Sequence, residues 1–251
     1  MKQIILDTET TGNLFDEPVE ISFMNSENTI EFEQHFLKPS IPCLPCTVVV
    51  HSYDAKFLSK FPPIETELEK ATKFLFDNID KYILIGYNIK FDINVISNVT
   101  KKFLNKPYEP KYTLDLCQLA RKLISIDQVG NHTLDTIYYF LFPDKLNQLL
   151  KIRSSHSALQ DIHLTNDVFS GLKKLTNTKK NKECTIQEII DFTKEPILLD
   201  YWPFGKHKGK KIEEVLKYDR QYVEWFLYKA DFKHEWPDLL FTLQQKQKTC
   251  V

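Results

Sequence analysis

The stretch IILDTETTG, residues 4–12, begins as a buried strand and ends as something else. Ile4, Ile5 and Leu6 form the kind of apolar run that a strand buries inside a sheet. Asp7 and Glu9 then set two carboxylates two residues apart where the run stops. Side chains alternate between the faces of a strand, so these two project from the same side. Carboxylates that close repel one another unless positive charge lies between them, and a divalent cation supplies it. Hard oxygen donors favour magnesium or manganese over zinc.

Outward from this strand, VEISFMN (19–25) and TIEFEQHFLKP (29–39) alternate apolar and polar residues across a short polar turn. That pattern predicts a β-meander. The proline-bearing segment 39–50 reads as an extended crossing. Helices are expected on both sides of Pro62-Pro63, the second with Leu68, Ala71, Phe74 and Leu75 at helical spacing. YILIGYN (82–88) is a short buried strand, followed by a helix from about Asp92 to Phe103. YTLDLCQLARKLI (112–124) reads as a strand end running into a helix, and TLDTIYYFL and Ser157–Leu175 as further helices. Strands interleaved with helices define an α/β chain, a mixed β-sheet flanked by helices.

The segment KKLTNTKKNKECT (173–185) is polar, lysine-rich and without apolar periodicity. It marks a boundary between a main domain at 1–175, a linker at 176–196 and a small α+β module at 197–251. The module has its own core aromatics in Trp202, Phe204, Tyr222, Trp225, Phe226 and Trp236.

With 251 residues, 42% of them hydrophobic, the chain can fill an ordinary core. The net charge of −1 rules out a polycation, so any nucleic-acid contact must come from a local patch or from bound metal. No segment approaches the length of a membrane span, so no membrane partner is expected. Acids interrupt the first apolar run too early for a secretory leader, which makes the cytoplasm the expected location. The five cysteines are scattered, and Cys43 and Cys46 of CLPC lack the second pair that a zinc site needs.

Two further acidic stretches join the first. GYNIKFD (86–92) places Asp92 just after a buried strand, at the start of a helix. HSALQD (156–161) places His156 five residues before Asp161. The two converge when His156 lies in the lead-in and Asp161 one turn inside, and Ser154 and Ser155 suit such a helix start. DTETTG, NIKFD and HSALQD, in this order, resemble the three motifs of the DEDD superfamily of 3′–5′ exonucleases. The histidine spacing points to its DEDDh branch. VEIS and VVVHSYDAKFL (48–58) are also similar to segments between those motifs, so the resemblance spans roughly residues 1–175. Tyr87 stands where many relatives have histidine, and Ser52 where they have glycine.

This resemblance implies a ribonuclease H-like fold and hydrolysis of phosphodiesters from a 3′ end, releasing nucleoside 5′-monophosphates. It implies two Mg²⁺ or Mn²⁺ ions held by Asp7, Glu9, Asp92 and Asp161, with His156 as general base. It also places Thr10, Thr11, Gly12, His51 and Asn88 beside the terminal nucleotide. WPFGKHKGKKIEEVLKYDRQYVEWFL (202–227) resembles the C-terminal module of enzymes of the exodeoxyribonuclease X type. Lys206, Lys208, Lys210 and Lys211 would there meet phosphates in a salt-sensitive, sequence-independent contact. Trp202 and Phe204 read as core aromatics, with base stacking the alternative. DNA 3′ ends, single-stranded or frayed, are the expected substrate, in repair or recombination. The alternatives are an exoribonuclease, a polymerase proofreading subunit and a catalytically silent nucleic-acid-binding module.

Overall fold

Period-two burial along the first strand decides how the helices are distributed. The computed structural model describes residues 1–12, 16–152 and 157–248. In strand β1 (Lys2–Thr10), Ile4, Ile5 and Leu6 are all buried, yet they feed different cores. Strands β2 (Pro18–Asn25) and β3 (Asn28–Phe36) form the expected meander. Helices α1 (Pro45–His51), α2 (Ala55–Leu58) and α3 (Ile64–Asp77) lead to strand β4 (Tyr82–Gly86). Helix α4 (Lys90–Leu104) and strand β5 (Thr113–Asp115) follow. The sheet order is β3-β2-β1-β4-β5, with β1 antiparallel to β2 and parallel to β4. The fully buried run YILIG of β4 suits that inner position.

The helices α5 (Leu116–Leu123), α6 (Ile126–Val129), α7 (Leu134–Leu141), α8 (Leu146–Ile152), α9 (Ala158–Lys180) and α10 (Ile186–Lys194) complete this part of the chain. On one sheet face Ile5, Met24, Ile83 and Ile85 pack with Leu119 of α5, Ile137 of α7 and Ile162 and Val168 of α9. On the other, Ile4, Leu6, Ile21, Phe23 and Leu84 pack with Leu68 and Leu75 of α3 and Ile96 and Val99 of α4. Asp7 and Glu9 therefore share the face that α9 covers, while Thr8 faces α4.

Three expectations change. The segment 39–50 is not extended throughout, because Pro45 opens helix α1. Proline costs nothing at a first helical turn, where its missing N–H has no intrahelical partner. Ser52 ends that helix in the left-handed region at φ 66°, a conformation that glycine adopts without strain.

The stretch 176–196 is not a linker. Helix α9 runs on to Lys180 and stops at a left-handed Asn181, φ 51°. Cys184, Ile189, Ile190 and Phe192 then join the core of the first compact unit, Met1–Thr193. The lysines that hid this in the sequence lie over an aromatic ring: Lys180 Nζ is 4.3 Å from the centroid of Phe192. The cap of α9 is Ser157, whose side chain accepts from the Gln160 N–H, while Ser154 and Ser155 lie outside the described residues.

The second unit, Lys194–Val251, carries α11 (Ile212–Tyr218), α12 (Arg220–Tyr228) and α13 (Pro237–Lys248) around Trp202, Ile212, Val223, Phe226, Leu239 and Leu243. Its β character among the described residues is one bridge between Tyr201 and Lys211, so the module is helical rather than α+β. Among the described residues no helix is long and apolar enough to cross a membrane.

The inner strand β4 should dominate stability. Replacing the fully buried Ile85 by alanine should cost about 2–5 kcal/mol in chemical denaturation followed by circular dichroism.

Candidate active site

Strand β1 outruns its parallel pairing with β4, which ends at Ile5, and so carries Asp7 and Glu9 past the C-terminal edge of that pair. Helix α9 crosses the same face and presents Asp161 in its first turn. One carboxylate oxygen from each of Asp7, Glu9 and Asp161 lies within 4.8 Å of the others. Asp92 approaches from the opposite face, in the first turn of α4, and is only 3% exposed. The Thr8 hydroxyl donates to its Oδ1 at 2.7 Å. Residues from three distant segments thus converge at one end of β1.

The electrostatics of this cluster are unfavourable for a bare protein. Burial, then the neighbouring Asp92, Asp161, Glu9 and Glu20, pushes the Asp7 carboxyl well above its usual range. Burial likewise pushes Asp92 up to about 7, against the pull of the Thr8 hydrogen bond. A divalent cation reverses that imbalance, and an all-carboxylate donor set matches a hard metal ion. These residues fit a metal centre.

The turn after β1 is braced from several sides. The Thr11 side chain is fully buried, and its hydroxyl accepts the Glu17 N–H at 3.1 Å, so it holds the turn closed. The Thr11 carbonyl accepts from the Leu44 N–H and the Thr47 hydroxyl. Gly12 adopts φ 70°, and a Cβ there would lie 2.2 Å from Thr47 Cγ2. Glycine is therefore required by backbone shape and by packing against α1. The buried Glu17 carboxylate accepts from Ser40 N and Oγ, each at 2.6 Å, and from Lys102 Nζ at 2.8 Å.

The other predicted substrate residues surround the same end of the sheet. Asn88 is exposed at φ 64°, its N–H donating to Asp115 Oδ1 at 3.1 Å. His51 is buried, stacks on Tyr53 and accepts the Tyr53 N–H at Nδ1. Burial holds its imidazole below the usual range, with the Thr10 backbone and Glu20 pulling the other way. Thr10 is buried at the bulge where β1 loses register with β2. His156 lies outside the described residues.

A sequence profile for the family described as Exonuclease matches residues 4–169, and it takes in all the acids of the cluster. The chain belongs to the exonuclease family. A second profile, described as Exodeoxyribonuclease X-like C-terminal, matches residues 203–231. Exodeoxyribonuclease 10 of Escherichia coli strain K12 is 25% identical over 247 residues, 96% of each chain. A 3′–5′ exonuclease DinG of Staphylococcus aureus strain MRSA252 is 24% identical over 128 residues, 49% of this chain and 14% of that protein. Among solved structures, the zinc-bound E. coli exonuclease I complex with single-stranded DNA superimposes with a TM-score of 0.53 at 18% identity. That match covers 76% of this chain and 42% of the other, and it shares the ribonuclease H-like fold.

The exonuclease is a nuclease of a metal-dependent family, and its carboxylate cluster is the feature that dependence requires. In the second unit, Lys208, Lys210 and Lys211 are exposed, whereas Lys206 pairs with Asp219 at 2.7 Å. Trp202, 1% exposed, is a core residue and cannot stack on a base. Phe204 packs with it and against Trp236.

Several residues of this site were not singled out from the sequence: Thr8, Glu17, Glu20 and Asp115. For Glu20 the signal was present. A glutamate inside VEISFM, on the strand face of Met24, is a charge placed where the core should be.

In metal-free protein Asp7 and Asp92 hold their protons more tightly folded than unfolded. Unfolding then releases protons between about pH 4 and 7, so these groups make stability fall as pH rises through that window. Differential scanning fluorimetry without metal should show Tm dropping from about pH 5 to about pH 8. Asp92→Asn should flatten the drop, and MnCl₂ should raise Tm more at the higher pH.

Proposed function

We propose that this chain is a metal-dependent 3′–5′ exodeoxyribonuclease that releases nucleoside 5′-monophosphates from DNA 3′ ends in repair or recombination. The observation that carries the reading is the convergence of Asp7, Glu9 and Asp161 within 4.8 Å, beside a buried Asp92. Magnesium, with manganese as its substitute, suits four carboxylates, and two ions suit so many in one place. Bound there, the ions would neutralise the phosphodiester and lower the pKa of an attacking water.

The chain's own groups have separate tasks. Asp7, Glu9 and Asp161 fix the cation-binding oxygens on the α9 face, and Asp92 closes the set from the α4 face with Thr8 orienting it. His156 would take the proton of the attacking water, since an imidazole pKa near about 6.5 lets it do so at neutral pH. The phosphorus–oxygen bond to the preceding 3′ oxygen then breaks, leaving the phosphate on the released nucleotide. The Thr10–Thr11–Gly12 turn, Asn88 and His51 would border the terminal nucleotide, with the buried Thr11 holding the turn in shape.

Support for DNA comes from the relative named exodeoxyribonuclease 10, aligned over 96% of both chains, and from the C-terminal match at residues 203–231. Lys208, Lys210 and Lys211 would add a phosphate contact.

Purified protein with Mg²⁺ should release the label from 3′-labelled single-stranded DNA as mononucleotide, with weaker cleavage of RNA. Asp7→Ala should abolish cleavage, and His156→Ala should slow it by roughly 10²–10⁴-fold. Faster cleavage of RNA would favour an exoribonuclease, and no cleavage of DNA, duplex or RNA would favour a binding module.

A further inference from the structure

Glu20 has no solvent exposure at all and sits in the middle of β2, directly opposite Glu9 across the strand pair. Its carboxylate accepts five hydrogen bonds from four segments of the chain. Oε1 takes the Ser22 hydroxyl at 3.0 Å, Gln34 Nε2 at 2.9 Å and the Leu159 N–H at 3.0 Å. Oε2 takes the Tyr53 hydroxyl at 2.7 Å and the Ala158 N–H at 3.1 Å. Ala158 and Leu159 are the first two residues of α9, where backbone N–H groups have no intrahelical partner. Ser157 satisfies Gln160, the next residue along. Asp161 follows immediately, its own N–H bonded to the Ser157 carbonyl at 3.0 Å.

We propose that Glu20 is a positioning residue for hydrolysis: it clamps the start of α9 so that Asp161 is held against Asp7 and Glu9. This rests on the exonuclease reading of the cluster. The placement is costly unless the charge is used, because Glu20 adds to the negative field that already raises Asp7. A carboxylate supplies what an amide cannot, two acceptor atoms at once. All five partners are donors in this arrangement, so a glutamine would turn its NH₂ toward N–H or O–H groups at one of the two ends. The helix dipole favours negative charge at this position, which offsets part of the cost. Through Tyr53, whose N–H also fixes the His51 ring, the same carboxylate ties the nucleotide side of the site to the metal side.

The test uses the full chain carrying Glu20→Gln, alone and combined with Asp161→Asn, with Mn²⁺ affinity measured by calorimetry beside kcat and KM on a single-stranded oligonucleotide. Glu20→Gln should weaken Mn²⁺ binding by about tenfold and lower kcat by about 10–100-fold, leaving KM within about twofold. In the Asp161→Asn background the same substitution should change Mn²⁺ affinity by less than about twofold, because the group it positions is already gone. Equal losses in both backgrounds would overturn the proposal, as would a Glu20→Gln enzyme that melts earlier yet binds Mn²⁺ and turns over like wild type. If Glu20→Gln does not fold, Tyr53→Phe removes a single donor. An Mn²⁺ affinity reduced by about two- to fivefold then supports the clamp, and an unchanged one overturns it. Wild-type protein that binds no Mn²⁺ and cuts nothing would overturn the exonuclease reading and the clamp together. Wild-type binding matched by the variant would overturn the clamp alone.

Discussion

Mutual repulsion among carboxylates is the constraint around which the first unit is built. Asp7, Glu9 and Asp161 are brought within reach of one another, and Asp92 is buried close by. No flexible loop would hold such a set together without its cation. All four therefore stand on regular elements, with Asp7 and Glu9 on β1 and Asp161 in the first turn of a 23-residue helix. The fourth is seated at the start of α4 and fixed by Thr8. Rigidity of this kind keeps the oxygens in place when the metal leaves, at the expense of stability in its absence.

The surrounding polar groups follow from the same constraint. Glu17 binds the turn beyond β1 to Ser40 and to Lys102 of α4. Asp115 caps α5 and at the same time holds the backbone of Asn88 in its left-handed conformation. Each of these carboxylates is spent on backbone or side-chain donors, so each behaves as a fixed anchor. Together they fix the shape of the turn beyond β1 and of the backbone at Asn88.

Much of this was legible before any coordinates. Period-two patterning in IILDTET and VEISFMN pointed to the strands, and the two acids at the end of β1 pointed to the carboxylate cluster. What escaped did so for identifiable reasons. Helix α1 was concealed by proline, which breaks helices in their middle yet opens them at their start. Helix α10 was concealed because polar, lysine-rich sequence preceded it, although Ile189, Ile190 and Phe192 mark its buried side. The β character expected of the C-terminal module gave way to helices, and its aromatics fill a helical core. Glu20 was visible only as a letter in a hydrophobic run, and four of its five donors, 14 to 139 residues away, appear only in the fold.

The cluster draws its oxygens from both sides of the sheet, two on β1 and one on α9 from one layer, and Asp92 on α4 from the other. Neither helical layer can assemble the set by itself, so local opening of either layer would release the ion. Under the proposed ligation, cation occupancy would be thermodynamically linked to the integrity of both layers at once. With an ion held as proposed, the sheet would be bolted through its thickness, and the first unit would open as one cooperative body rather than layer by layer.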